Sequence, residues 1–96
     1  MDEVEFYIEK INQFVVEYHE ELPAAHKAQM RLNGIDPDNR WDLKWSFTTL
    51  EAAEDQLADE QKWYADFCEN HGYQPTKTFR VRDLGAPVEI KRQIMF

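Results

Sequence analysis

The chain is poor in the residues from which small active sites and metal centres are built. It has one cysteine (Cys68), one serine (Ser46) and three glycines. It has no apolar run near the ~20 residues that a membrane-spanning helix needs. A lone cysteine excludes an internal disulfide and points to a reducing compartment. Ser46 lies outside any Gly-x-Ser-x-Gly elbow. Neither Gly-x-x-x-x-Gly-Lys nor Gly-x-Gly-x-x-Gly occurs, which argues against a phosphate cradle. His71 follows Cys68 by one helical turn, but both fall on an apolar helix arc, where a small buried thiol beside a core-edge histidine is expected. A zinc site would have to recruit His19 or His26 as well, and these lack the tight spacing of a second ligand pair. No nucleophile–base–orienter set forms, so a non-enzymatic protein without cofactor or metal is expected.

Positive charge is also scarce. Eleven basic residues face 19 acidic ones, for a net charge of −8. This disfavours general nucleic-acid binding and attachment to anionic membranes, and favours solubility and attraction to basic partners. The start, Met1-Asp2-Glu3-Val4-Glu5, has neither the basic, apolar character of a secretory leader nor the acid-poor character of a mitochondrial one, so a cytoplasmic location is expected.

What the chain does have is large apolar side chains, 43% hydrophobic and 14% aromatic, enough for the core of one domain spanning 1–96. Val4, Ile8, Ile11, Val15, Tyr18 and Leu22 are spaced 4, 3, 4, 3, 4, which predicts an amphipathic helix over 2–22. Phe6 and Val16 miss its stripe and point outward. The 3.5-residue spacing also suits a helix–helix seam, filled by the protein's own core or by a second copy in a homodimer. A short helix over 24–32 follows Pro23 and stops at Asn33-Gly34. Trp41, Leu43, Trp45 and Phe47 alternate with polar residues and predict a strand over 41–47. Thr48 and Glu51 fit a capping box for a helix over 49–71, with Gly72 past its end. Two strands, 78–84 and 88–96, read as a hairpin across Gly85-Ala86-Pro87. The expected fold is α+β, in the order α-α-β-α-β-β, with a three-stranded sheet against amphipathic helices. A right-handed β-α-β crossover follows if the strands at 41–47 and 78–84 are parallel in one sheet.

Two surfaces carry the charge. Glu51, Asp55, Asp59 and Asp66 lie within about 80° on the third helix, opposite its apolar arc of Leu50, Ala53, Leu57, Tyr64, Cys68 and His71. Glu60 lies inside that arc, where a carboxylate could be perturbed and catalytic but more often reaches solvent at the boundary or pairs with an arginine. Residues 76–96 carry +3 and residues 1–75 carry −11. Lys44, Arg80, Arg82 and Lys91, with Lys77 nearby, would gather on the polar sheet face. The opposite face, with Trp41, Trp45, Phe47 and Phe79, reads as core rather than as a base-stacking platform.

The segment Phe79-Arg80-Val81-Arg82-Asp83-Leu84-Gly85-Ala86-Pro87-Val88-Glu89-Ile90 resembles the closing hairpins of small phage-encoded proteins of unassigned role. The size, acidity and helix-plus-hairpin design resemble inhibitors that phages make against host defence, such as anti-CRISPR and anti-restriction proteins. The resemblance implies a binding protein that acts by occlusion in the host cytoplasm, and it carries over no functional residue. Three functions follow in order. The first is an interaction module whose acidic helix face engages a protein with a basic surface, such as one that normally holds nucleic acid. The second is a nucleic-acid binder using Lys44, Arg80, Arg82 and Lys91. An enzyme is the third.

Overall fold

A computed structural model describes residues 5–94. Within them the protein is α+β, as expected, but with five strands instead of three and two helices instead of three. The elements run β1 (Phe6–Ile11), β2 (Phe14–Glu20), α1 (Ala24–Leu32), a 3₁₀ turn (Pro37–Asn39), β3 (Asp42–Phe47), α2 (Leu50–His71), β4 (Lys77–Asp83) and β5 (Val88–Gln93).

The long N-terminal helix is not formed; its described part is β1 and β2. The heptad-like stripe mixes even positions (Ile8, Tyr18) with odd ones (Ile11, Val15), which a strand sends to opposite faces. Phe6, Tyr7, Ile8, Phe14, Val15, Val16 and Tyr18 are aromatic or β-branched and suit a pleated surface. Val15 and Val16 are adjacent and both fully buried, because β2 is the central strand and both its faces are covered. Val16, read as outward-pointing, is core. The helix–helix seam for a second copy disappears with the helix, and Val4 lies outside the described residues.

The three-stranded sheet has the order β3-β2-β4, with both outer strands antiparallel to β2. β3 and β4 therefore run the same way but are not neighbours, and α2 carries the chain across β2 between them. The expected C-terminal hairpin is also absent. β5 pairs with β1, from Phe6 opposite Gln93 to Ile11 opposite Val88, while β4 pairs with β2. The continuation expected at Phe96 lies outside the described residues.

The two ladders are successive parts of one long ribbon, broken by a joint. Asn12-Gln13 on one side faces the longer stretch Leu84–Pro87 on the other. Leu84 N–H donates to the Gln13 carbonyl at 2.8 Å, and Asn12 N–H donates to Ser46 Oγ at 3.1 Å. Asp83 turns the chain: its Oδ1 accepts from Gly85 N–H at 2.7 Å and from Gln13 Nε2 at 2.9 Å. The Gly85 N–H, then the Gln13 amide, hold the Asp83 carboxyl below the ordinary range. Gly85 has φ +83°, a conformation that side chains with a Cβ rarely adopt.

α2 packs on the β3-β2-β4 sheet, and its main contacts among the described residues are with those three strands. The long ladder, at about 3.3 Å per residue, accounts for the 54 Å longest dimension. The radius of gyration is 16.8 Å, against about 12–13 Å for a compact chain of this length. α1 buries none of its residues and is tied down by charge: Lys27 pairs with Glu21 and with Asp38 (3.1 Å), and Arg31 pairs with Asp38 (2.8 Å).

The described apolar core is Val15, Val16, Ala53, Cys68 and Phe79. Trp45, expected at its centre, is 47% exposed, and Trp41 and Phe47 are half-buried. Val16→Ala is therefore expected to cost on the order of 2 kcal/mol in urea unfolding, within the range for truncating a fully buried aliphatic side chain. A loss below about 0.5 kcal/mol would mean that β2 is not the centre of the fold.

Candidate functional site

α2 contains no β-branched residue, no proline and no glycine, so no interior position carries a strong helix breaker. Its N-cap is Thr49, one residue later than the capping-box reading. The Thr49 hydroxyl accepts from Ala52 N–H at 3.2 Å. Gly72, at φ +68°, takes the left-handed position at the other end, and Tyr73 N–H donates to the Cys68 carbonyl at 2.9 Å.

Glu60 fixes how this helix sits. Its carboxylate is buried and accepts three hydrogen bonds: from Lys44 Nζ at 2.6 Å, Trp45 Nε1 at 3.0 Å and Gln56 Nε2 at 3.2 Å. Two consecutive β3 side chains reach one helix residue because the strand is bulged. Val16 faces Trp45 and Glu17 faces Leu43, which leaves Lys44 as an extra residue. A bulge of this kind turns two neighbours to the same side. The Lys44 ammonium, opposed by partial burial and helped by the Trp45 indole, holds the Glu60 carboxyl below its ordinary value.

With Glu60 facing inward, Glu51, Asp55, Asp59 and Asp66 project from the opposite side of α2, and all four are exposed. None of them forms an ion pair among the described residues. Glu54 and Glu69 are exposed as well, and Lys62 is the one cation of the helix.

One flank of this ridge is aromatic. Trp63 stacks on Phe67 (centroids 5.3 Å apart, planes 15°), Phe67 meets His71 at 4.5 Å, and His71 stacks on Tyr73 at 5.7 Å. Trp63 is 61% exposed and Tyr73 59%. This ladder is absent from the sequence reading, which placed His71 at the core edge; the histidine is exposed. The signal available was the spacing of Trp63, Phe67 and His71 at successive fourth residues, the first two off the main apolar arc.

The four cations read as one basic face are dispersed. Lys44 is on the helix side with Glu60, and Lys91 lies 4.4 Å over the Phe6 ring on the β1–β5 ribbon. Arg80 and Arg82 remain together on the open face of the sheet. Both converge on Glu17, which is 2% exposed: Arg80 Nε lies 2.6 Å and Arg82 Nε 3.1 Å from Glu17 Oε1. The Arg80 guanidinium also lies 3.7 Å over the Trp41 ring. Lys77 lies over the Tyr18 and Tyr64 rings. No group of three or more His, Cys, Asp or Glu side chains is placed to hold a metal ion among the described residues.

Glu60→Gln tests the anchor. At neutral pH it is expected to cost about 1.5–3 kcal/mol, the usual worth of a hydrogen bond to a charged group. A depressed carboxyl contributes stability that is present above its unfolded-state value and is lost as pH falls through the lower folded value. The gap between wild type and variant in urea midpoint should therefore narrow as pH is lowered from about 5 toward about 2. A gap that is constant with pH would remove the Lys44–Glu60 pair as its source.

No helix of the described residues is long and apolar enough to cross a membrane. No protein-family model, curated protein or solved structure matches the chain. Function is therefore read from the chemistry of the site itself.

Proposed function

We propose that this protein is a non-enzymatic interaction module that presents the acidic ridge of α2 to a basic surface on another protein. The observation that carries this reading is the arrangement along α2. Four exposed, unpaired carboxylates at Glu51, Asp55, Asp59 and Asp66 run beside an exposed aromatic ladder. Carboxylates four residues apart on a helix are spaced about 6 Å along its axis and form a line of negative charge. Such a line attracts arginine- and lysine-rich surfaces, accelerates encounter and sets register. Trp63 and Tyr73 supply large, rigid, amphipathic area, the kind that dominates binding energy when a partner covers it. Together they fit a basic cleft of the kind that holds nucleic acid, with the protein acting by occlusion. The setting that suits this reading is the cytoplasm, as for a phage-type inhibitor of a host protein.

Charge and anchor are separable by mutation. Asp55→Lys with Asp59→Lys should leave the fold within about ±0.5 kcal/mol, as solvated surface changes do. The same pair should slow association with a partner recovered by affinity purification from the native host, and most strongly at low salt. Trp63→Ala should also leave stability nearly unchanged, but should weaken binding by at least tenfold, mainly through faster dissociation. Association rates at low ionic strength that do not change on charge reversal would sink the α2 reading. The open sheet face with Arg80, Arg82 and Trp41 would then be the surface to test.

A further inference from the structure

The indole of Trp63 has one covered face and one open face. Phe67, one turn further along α2, stacks against it with centroids 5.3 Å apart and planes 15° apart, yet Trp63 is still 61% exposed. The face turned away from Phe67 looks toward the preceding turn of the helix. Three carboxylates stand within one turn of Trp63: Asp59, Glu60 and Asp66. Glu60 is buried and committed to Lys44, Trp45 and Gln56, and Asp66 lies on the Phe67 side of the ring. Asp59, four residues before Trp63, stands beside the open face, with Cβ atoms about 6 Å apart. It is exposed and forms no ion pair among the described residues. Lys62 falls on the far side of Asp59 from Trp63 on the 100° wheel. No cation of the described residues lies over Trp63, Phe67 or Tyr73.

The same chain shows how a tryptophan and a carboxylate share one cation. On the open sheet face the Arg80 guanidinium lies 3.7 Å over Trp41 while its Nε reaches Glu17 at 2.6 Å. A guanidinium satisfies both because its flat face stacks on the indole while its N–H groups, which lie in the plane, go to the carboxylate. An ammonium is a compact, strongly hydrated point charge with no flat face. The lysines that cover rings in this chain stay 4.4–5.9 Å from the centroids. Of these, Lys44 also pairs with a carboxylate, and it does so from 5.8 Å over Phe79.

We infer that Trp63 and Asp59 form a seat for an arginine of the partner. The arginine stacks on the open face of the indole, extends the Trp63–Phe67 ladder by one layer and donates to the Asp59 carboxylate. Charge complementarity sets the sign of the occupant, and the open ring sets its shape. The inference rests on the reading of α2 as a surface for a basic protein and narrows it. Glu51, Asp55 and Asp66 attract either kind of cation, whereas the Trp63 position selects arginine over lysine.

Two short acetylated peptides of equal length and charge test it, one of lysines only and one with its central lysine replaced by arginine. Each is titrated into the full, isotopically labelled chain. The arginine peptide should bind about threefold tighter, the usual worth of one cation–π contact at an exposed site. It should move the Trp63 indole N–H resonance more than the lysine peptide does, with those of Trp41 and Trp45 as internal references. Trp63→Ala and Asp59→Asn should each abolish the preference. Glu51→Gln, about two turns before Asp59, should weaken both peptides alike and keep it. Equal affinity of the two peptides for the wild-type chain, with α2 amides perturbed by both, would overturn the arginine seat and leave the acidic ridge standing. So would a preference that survives Trp63→Ala or Asp59→Asn. Failure of both peptides to perturb α2 would remove the ridge and the seat together.

Discussion

The fold hangs on the carboxylate of Glu60. A carboxylate withdrawn from water is tolerated only with its hydrogen-bonding capacity filled, and here three donors fill it. Two of them, Lys44 and Trp45, are consecutive on β3, so satisfying Glu60 demands the bulge that brings both to one side. The helix can then sit on the sheet in only one rotation. That rotation buries Ala53 and Cys68, sends the Asp55–Asp59 side outward, and leaves Trp63 and Phe67 on the flank. The exposed chemistry of α2 is thus a consequence of one buried ionic contact. Its worth is structural specificity more than raw stability, because buried ion pairs repay little beyond their own desolvation.

Glu17 plays a corresponding part on the opposite face. Among the described residues no helix packs mainly on that side of β2, yet Glu17 and Val15 are buried. The long side chains of the flanking strands supply the cover: Arg80 and Arg82 fold inward over Glu17, and Trp41 lies beneath Arg80. Their aliphatic stems shield the central strand while their guanidinium groups remain partly in water. This is how a three-stranded sheet with a helix on one side closes both faces of its middle strand. It also offsets part of the positive charge that a plain alternation of Arg80 and Arg82 suggests.

Much of the architecture is legible in the residues because local signals and tertiary context agree there. Pro23 and Asn33-Gly34 bracket α1, Gly72 ends α2, and Trp41 to Phe47 alternates as a strand. The acidic ridge is legible for the same reason: one side of a regular helix can be read from its period. Misreadings arise where the deciding contact is far away in sequence. Residues 6–20 satisfy a helical spacing, and only their pairing with residues 42–47 and 77–93 makes them strands. β4 and β5 look like a hairpin because Gly85-Ala86-Pro87 is turn-like, but the turn redirects the chain instead of reversing it. Lys44 changes face because of a single unpaired residue, which an alternating pattern does not register. The aromatic ladder is missed because Trp63 and Phe67 lie just beyond the apolar arc, where a surface position and an unfinished contact look alike.

The division between body and ribbon has an energetic reason. The described apolar core holds five residues, two of them as small as Ala53 and Cys68. Chains of this size bury barely enough surface to offset the ordering of their backbone. Extending β2 and β4 into β1 and β5 adds backbone to be ordered and, within one chain, little apolar burial in return. Such an extension gains little by itself: Phe6, Tyr7 and Ile8 remain exposed on its two faces. The acidic side of α2 has a different requirement, since it must stay solvated or meet positive charge. It is held on the compact body through Glu60, so its geometry does not depend on the ribbon.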